Sequence, residues 1–110
     1  MLFNLLKKHC VPCEGTEQPL EKKESMQYMS ALSSQWEAVE EKKIRHEFKF
    51  KTFPAAVAFV DKIVPLAEAE GHHPDIHIYY NKVTIELWTH AIGGLSENDF
   101  IMAAKIEAIY

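Results

Sequence analysis

Cysteine is scarce, basic residues are outnumbered and no long apolar run occurs, and each shortage removes a class of protein. Only Cys10 and Cys13 are present. Their Cys-Val-Pro-Cys spacing is that of a redox pair or half a zinc site. A thioredoxin-like dithiol, however, sits after a strand at the start of a helix, and a structural zinc site takes four ligands, which no second Cys-x-x-C supplies. A minor structural role is expected for the pair. Twelve Lys and Arg against sixteen Asp and Glu leave a formal charge of −4. Without a basic stripe there is no general attraction to phosphate backbones or anionic lipid, so nucleic acid and membrane drop out as direct partners. The opening Met1–Lys8 puts its apolar residues ahead of its positive ones and offers no small-residue cleavage site, so the expected location is cytoplasmic.

Active-site signatures are missing too. No phosphate loop, dinucleotide fingerprint, Gly-x-Ser-x-Gly elbow or His-Glu-x-x-His pair is found, which argues against nucleotide, serine-hydrolase and zinc-protease chemistry.

What is present is an ordinary globular composition, 47% apolar and 25% charged over 110 residues. That length supports one domain, 1–110, because half of it could not bury a core. Residues 1–15 have no period and read as an irregular arm. Thr16 as a cap, Pro19 in a first turn and Leu20, Met26, Met29 and Leu32 at helical intervals predict a first helix. Residues 36–40 and 44–53 predict a hairpin, with Phe48 and Phe50 inward. Residues 54–70 predict the main core helix, capped by Gly71 and kinked at Pro65. Ile76, Ile78 and Tyr80, then Val83, Ile85 and Leu87, alternate as a second hairpin. Ser96 with Asp99 three residues on is a capping box opening a last helix. The fold class is therefore α+β, in the order α-β-β-α-β-β-α. A four-stranded antiparallel sheet would carry three helices on one face, and its open edges favour homo-oligomers.

Six histidines occur, and His72, His73 and His90 fall at element ends, outside the apolar stripes. Histidine titrates near neutrality, so a pocket holding several can contain a proton donor and an acceptor together. In His72-His73-Pro74 the proline makes His73 extended, so the imidazoles should diverge. Regular pairing to the end of the last strand would put His90 in the phase of Thr84, Glu86 and Trp88, away from the core. Asp99 either serves only the helix cap or acts in the site. Glu68 either orients an imidazole or faces water, where it opposes the helix dipole. Trp36, Trp88, Tyr79 and Tyr80 either wall a flat ligand or simply pack. His72, His73, His90 and Glu68 are acceptable zinc ligands, but adjacent histidines rarely converge on one ion.

The ordered motifs Ala67-Glu68-x-x-x-His72-His73-Pro74, Tyr80-Asn81-Lys82-Val83, Leu87-x-Thr89-His90 and Gly94-Leu95-Ser96-x-x-Asp99 resemble the pterin-4a-carbinolamine dehydratase family. The resemblance covers about 36–110, and Cys10-Val-Pro-Cys13-Glu-Gly resembles the arm of bacterial members. It implies a four-stranded α+β domain, commonly dimeric or tetrameric, active with neither metal nor bound cofactor. Its members dehydrate 4a-hydroxytetrahydropterin to quinonoid dihydropterin, serving aromatic amino acid hydroxylases. By motif, His72 and His90 match the acid/base pair and His73 the imidazole that positions the pterin. Gly71 to Pro74 and Trp88, Thr89, His90 and Ala91 would line the substrate, with Glu68 and Asp99 behind them. Ile76, where an aromatic residue often stands, and Pro65 depart from the pattern. Animal members also stabilise a homeodomain factor's dimers, so a protein-binding module is the alternative and a metal-binding or redox protein a third.

Overall fold

The computed structural model describes residues 4–12, 15 and 17–110. Its elements are α1 (Lys22–Met29), β1 (Glu37–Val39), β2 (Lys43–Lys49), α2 (Phe53–Glu70), β3 (Asp75–Tyr79), β4 (Lys82–Leu87) and α3 (Glu97–Ile109), with short 3-10 turns at Leu5–Lys7 and His90–Ile92. The order is the expected α-β-β-α-β-β-α, and the four strands form one antiparallel sheet in the order β1-β2-β4-β3.

Alternation decides which sheet face is covered. Ile44, His46 and Phe48 of β2 and Val83, Ile85 and Leu87 of β4 are buried, and Ile85 lies opposite His46 in the register. All but His46 join Ala56, Phe59, Ile63 and Ala67 of α2 and Phe100 to Ala104 of α3 in one apolar cluster. A fully buried Ile or Phe contributes roughly 1.5–3 kcal/mol over an exposed one, so the central strands carry much of the core.

Element ends differ from expectation for local reasons. The first helix begins at Lys22, because Glu21 and Glu24 form the capping box, and it stops at Met29. Pro19 lies ahead of it, so close to Gly94 that a Cβ there would stand 2.7 Å from the proline Cβ. The cap proposed for Thr16 lies outside the described residues. The first hairpin turns through Glu40 and Glu41, both at positive φ. Phe48 points inward, whereas Phe50 lies past the end of β2 and is half-buried against Phe59 and Tyr110. Thr52 caps α2 through the Ala55 N–H, and the helix continues through Pro65 to Glu70. β3 is an edge strand, and its Ile78 is exposed, while Tyr80 occupies the turn at φ 54. β4 ends at Leu87, short of His90.

Candidate active site

The ends of α2 and β4 and the start of α3 meet at one place. Gly71, at φ 64, terminates α2 in the left-handed conformation, and the His72 N–H closes back on the Ala67 carbonyl at 3.3 Å. The chain reverses there and the imidazoles part. The His72 side chain is 12% exposed and that of His73 60%.

Asp99 is completely buried at the third position of α3. One carboxylate oxygen, Oδ2, accepts the Ser96 N–H and the Thr89 hydroxyl, each at 2.9 Å. The other, Oδ1, lies 2.6 Å from His72 Nε2. Helix cap and imidazole partner are thus one buried group, which meets Ser96, Thr89 and His72 at once. With the proton of this bond on Nε2, neutral His72 offers a bare Nδ1, and protonated His72 offers an Nδ1–H.

Glu68 Oε2 stands 2.5 Å from His73 Nε2, with both side chains largely exposed. His90 is held differently. Beyond β4, Thr89 bridges to Gly94 and the chain enters the 3-10 turn, so the strand phase inferred for His90 does not reach it. Its ring stacks on Trp88 with centroids 3.9 Å apart, and the Trp88 indole N–H donates to Asp75 Oδ2 at 3.0 Å.

A cavity of about 410 Å³ opens between these groups, bounded by Cys10, Val11, Pro12, Glu70, Gly71, His72, His73, Trp88, Thr89, His90, Ala91 and Asn98. Its size and its few convergent polar groups suit a small heteroaromatic molecule. Seven of the eight expected lining residues bound it, and Pro74 does not. Trp36 is buried and donates to Glu107, while Tyr79 and Tyr80 are exposed away from the cavity. Sequence reasoning missed Glu70, Asn98 and the contribution of the arm. A carboxylate on the last turn of α2 was a signal at Glu70, since it opposes the helix dipole. Asn98 carried none.

Burial first, then Glu70, pushes the Cys10 thiol up to about 12, the opposite of a reactive thiolate. Cys13 lies outside the described residues. Among the described residues no three His, Cys, Asp or Glu side chains are grouped to hold a metal ion.

Residues 18–109 match the family model described as Pterin 4 alpha carbinolamine dehydratase. The chain belongs to this dehydratase family. It is 45% identical to a Rickettsia canadensis protein provisionally named a pterin-4-alpha-carbinolamine dehydratase, over 94% of this chain and 95% of that one. It is 39% identical to the mitochondrial pterin-4-alpha-carbinolamine dehydratase 2 of Arabidopsis thaliana, over 98% of this chain and 60% of that one. Among solved structures, a transcriptional coactivator/pterin dehydratase from Brucella melitensis superposes with a TM-score of 0.78 at 35% identity, covering 84% of this chain and 98% of that one. A pterin dehydratase-like RuBisCO assembly factor of the alpha-carboxysome has a TM-score of 0.58 at 25% identity, covering 67% and 87%.

Proposed function

We propose that the protein dehydrates pterin-4a-carbinolamine, 4a-hydroxytetrahydropterin, to quinonoid dihydropterin, and so recycles the pterin cofactor of aromatic amino acid hydroxylases. One observation carries the reading: a histidine paired to a fully buried carboxylate, His72 with Asp99, shares a cavity with a second imidazole, His90, stacked on Trp88.

The reaction needs two proton movements. The C4a–O bond breaks as His72 gives its proton to the departing hydroxyl, which leaves as water. His90 takes the N5 proton, and the electron pair of that N–H bond completes the C4a=N5 double bond. Exchange with solvent then returns the proton from His90 to His72. Asp99 orients His72 and stabilises its imidazolium, and His73, aligned by Glu68, holds the pterin. Such positioned acid and base groups contribute about 100- to 10,000-fold each. The residues that touch substrate in this reading are Gly71, His72, His73, Trp88, Thr89, His90 and Ala91, all of which bound the cavity.

The whole chain acts as one domain in this proposal, supported by the single apolar cluster of the described residues. The uncovered strands β1 and β3 at the sheet edges support a homodimer or homotetramer. No described helix is long and apolar enough to cross a membrane, consistent with a cytoplasmic enzyme.

The test is stopped-flow ultraviolet absorbance of enzymatically generated 4a-hydroxytetrahydropterin, with spontaneous dehydration as the baseline. Wild type accelerates the decay, and His72→Ala and His90→Ala each lose at least about 100-fold. No acceleration by folded wild type refutes the enzyme and leaves a protein-binding module, a reading favoured by the likenesses to the transcriptional coactivator/pterin dehydratase and to the carboxysome assembly factor.

A further inference from the structure

The arm ahead of α1 is fastened to the site at two points. The Cys10 N–H donates to Glu70 Oε1 at 2.7 Å, and the other oxygen of that carboxylate meets His9 Nδ1 at 2.9 Å and Lys105 Nζ at 3.7 Å. Only 5% of the Glu70 side chain is exposed. Burial alone would push its carboxyl up, but the Cys10 N–H, His9 and Lys105 outweigh it and hold the pKa below the usual range. One residue on, Asn98 grips Val11 from both sides: the Val11 N–H donates to Asn98 Oδ1 at 2.9 Å, and Asn98 Nδ2 donates to the Val11 carbonyl at 2.6 Å. A buried side-chain amide here substitutes for the paired residue of a strand, fixing backbone at both ends of one residue.

These fasteners adjoin the chemistry. Glu70 is two residues before His72, and Asn98 immediately precedes Asp99. What they hold in place is Cys10, Val11 and Pro12, which bound the cavity together with the imidazoles. Val11 and Pro12 are nonetheless exposed, so packing of the core does not account for their position. The family match begins only at residue 18, so this wall is built outside the segment that defines the family.

We propose that Cys10–Pro12 form a substrate-contacting wall that sets affinity for the reduced pterin, with Glu70 and Asn98 as positioning residues that hold the wall. The proposal rests on the pterin reading of the cavity. Its chemistry is steric and apolar, exerted through the exposed side chains of Val11 and Pro12, and it requires no new reacting group. The arm therefore acts on binding, while the histidines act on the rate of the bound substrate.

The experiment compares wild type with Asn98→Ala and with the double variant Val11→Gly/Pro12→Gly. The latter removes two exposed side chains and leaves the apolar cluster untouched, so it stays folded even where the first does not. Two readouts are taken: KM and kcat for dehydration, and equilibrium binding of 7,8-dihydrobiopterin followed by tryptophan fluorescence. A binding wall gives an increase in KM at least about fivefold larger than any decrease in kcat, with the dihydropterin Kd rising in step and the pH profile of kcat unmoved. Unchanged KM and Kd in the double variant overturn the proposal. A fall in kcat with a displaced pH profile also overturns it, assigning the effect to the Asp99–His72 pair. A wild type that binds dihydropterin without dehydrating the carbinolamine refutes the enzyme while the Kd comparison still decides the wall. A wild type that binds no pterin refutes both.

Discussion

Replacing Asp99 by Asn changes one atom type in a fully buried place, and its effect can be worked through bond by bond. The amide oxygen keeps the two acceptor roles that fasten the helix start, taking the Ser96 N–H and the Thr89 hydroxyl at the positions where both now lie 2.9 Å from Oδ2. The amide NH2 then faces His72 Nε2, 2.6 Å from the present Oδ1. A donor there stabilises the tautomer whose proton is on Nδ1 and removes the anion that favours imidazolium. A hydrogen bond to a charged partner contributes about 1.5–3 kcal/mol. At 1.36 kcal/mol per tenfold, losing that alone slows the reaction by about one to two powers of ten, and the wrong tautomer adds to it. The expected fall in kcat is 100-fold or more. The fold should survive, since the cap bonds are kept, and Ser96→Ala supplies the complementary control by removing a cap at about 1 kcal/mol of stability. Stopped-flow rates and thermal melts on both variants separate the roles. A folded Asp99→Asn enzyme within threefold of the wild-type kcat would refute the reasoning.

Three further outcomes follow from the geometry. His90→Phe keeps an aromatic ring against Trp88 and loses only the titrating nitrogens, so the rate should fall about 100-fold with little change in melting temperature; an unchanged rate removes His90 from the chemistry. His46 is buried on the core face of β2, stacked 3.7 Å from Phe48, and burial lowers its pKa from the ordinary 6.5. A depressed histidine pKa means the unfolded chain takes up the proton first, so stability is full above 6.5, declines as pH falls through the lower folded value, and the urea midpoint should drop less steeply on acidification in His46→Leu. In a Cys13→Ser variant, the Cys10 thiol with its pKa near 12 should resist a thiolate-specific reagent at pH 8 until urea unfolds the chain, and rapid labelling of the native protein would contradict the half-buried setting beside Glu70.

Most of the fold was legible because its signals are local and periodic. Val83, Ile85 and Leu87 alternate in the sequence and are all buried in β4, Gly71 stands where a left-handed cap was needed, and Ser96 with Asp99 reads as a cap at the right spacing. The failures lie where alternation is not enough. Ile78 alternates as well as its neighbours, but an edge strand has too little covering it to bury it, and Tyr80 falls in the turn beyond that strand. His90 departs from its phase because β4 gives way to a bridge and a 3-10 turn. The divergent imidazoles of His72 and His73 were foreseeable from the proline, whereas pairing of His72 with Asp99 joins residues 27 apart. The arm was least legible, since its fasteners, Glu70 and Asn98, are ordinary polar residues whose partners lie 60 and 87 positions away.

That separation bears on how the protein comes into being. The arm is anchored at two distances along the chain: His9 and Cys10 to Glu70 at the end of α2, and Leu6, Lys8 and Val11 to Lys105, Glu97 and Asn98 of α3. The grip on Val11 comes only with α3, so one side of the cavity is completed late, although its residues precede every strand in the chain. A nascent chain stalled before α3 would display a nearly complete sheet and no closed pocket. Closure of that side of the pocket thus waits on the last helix.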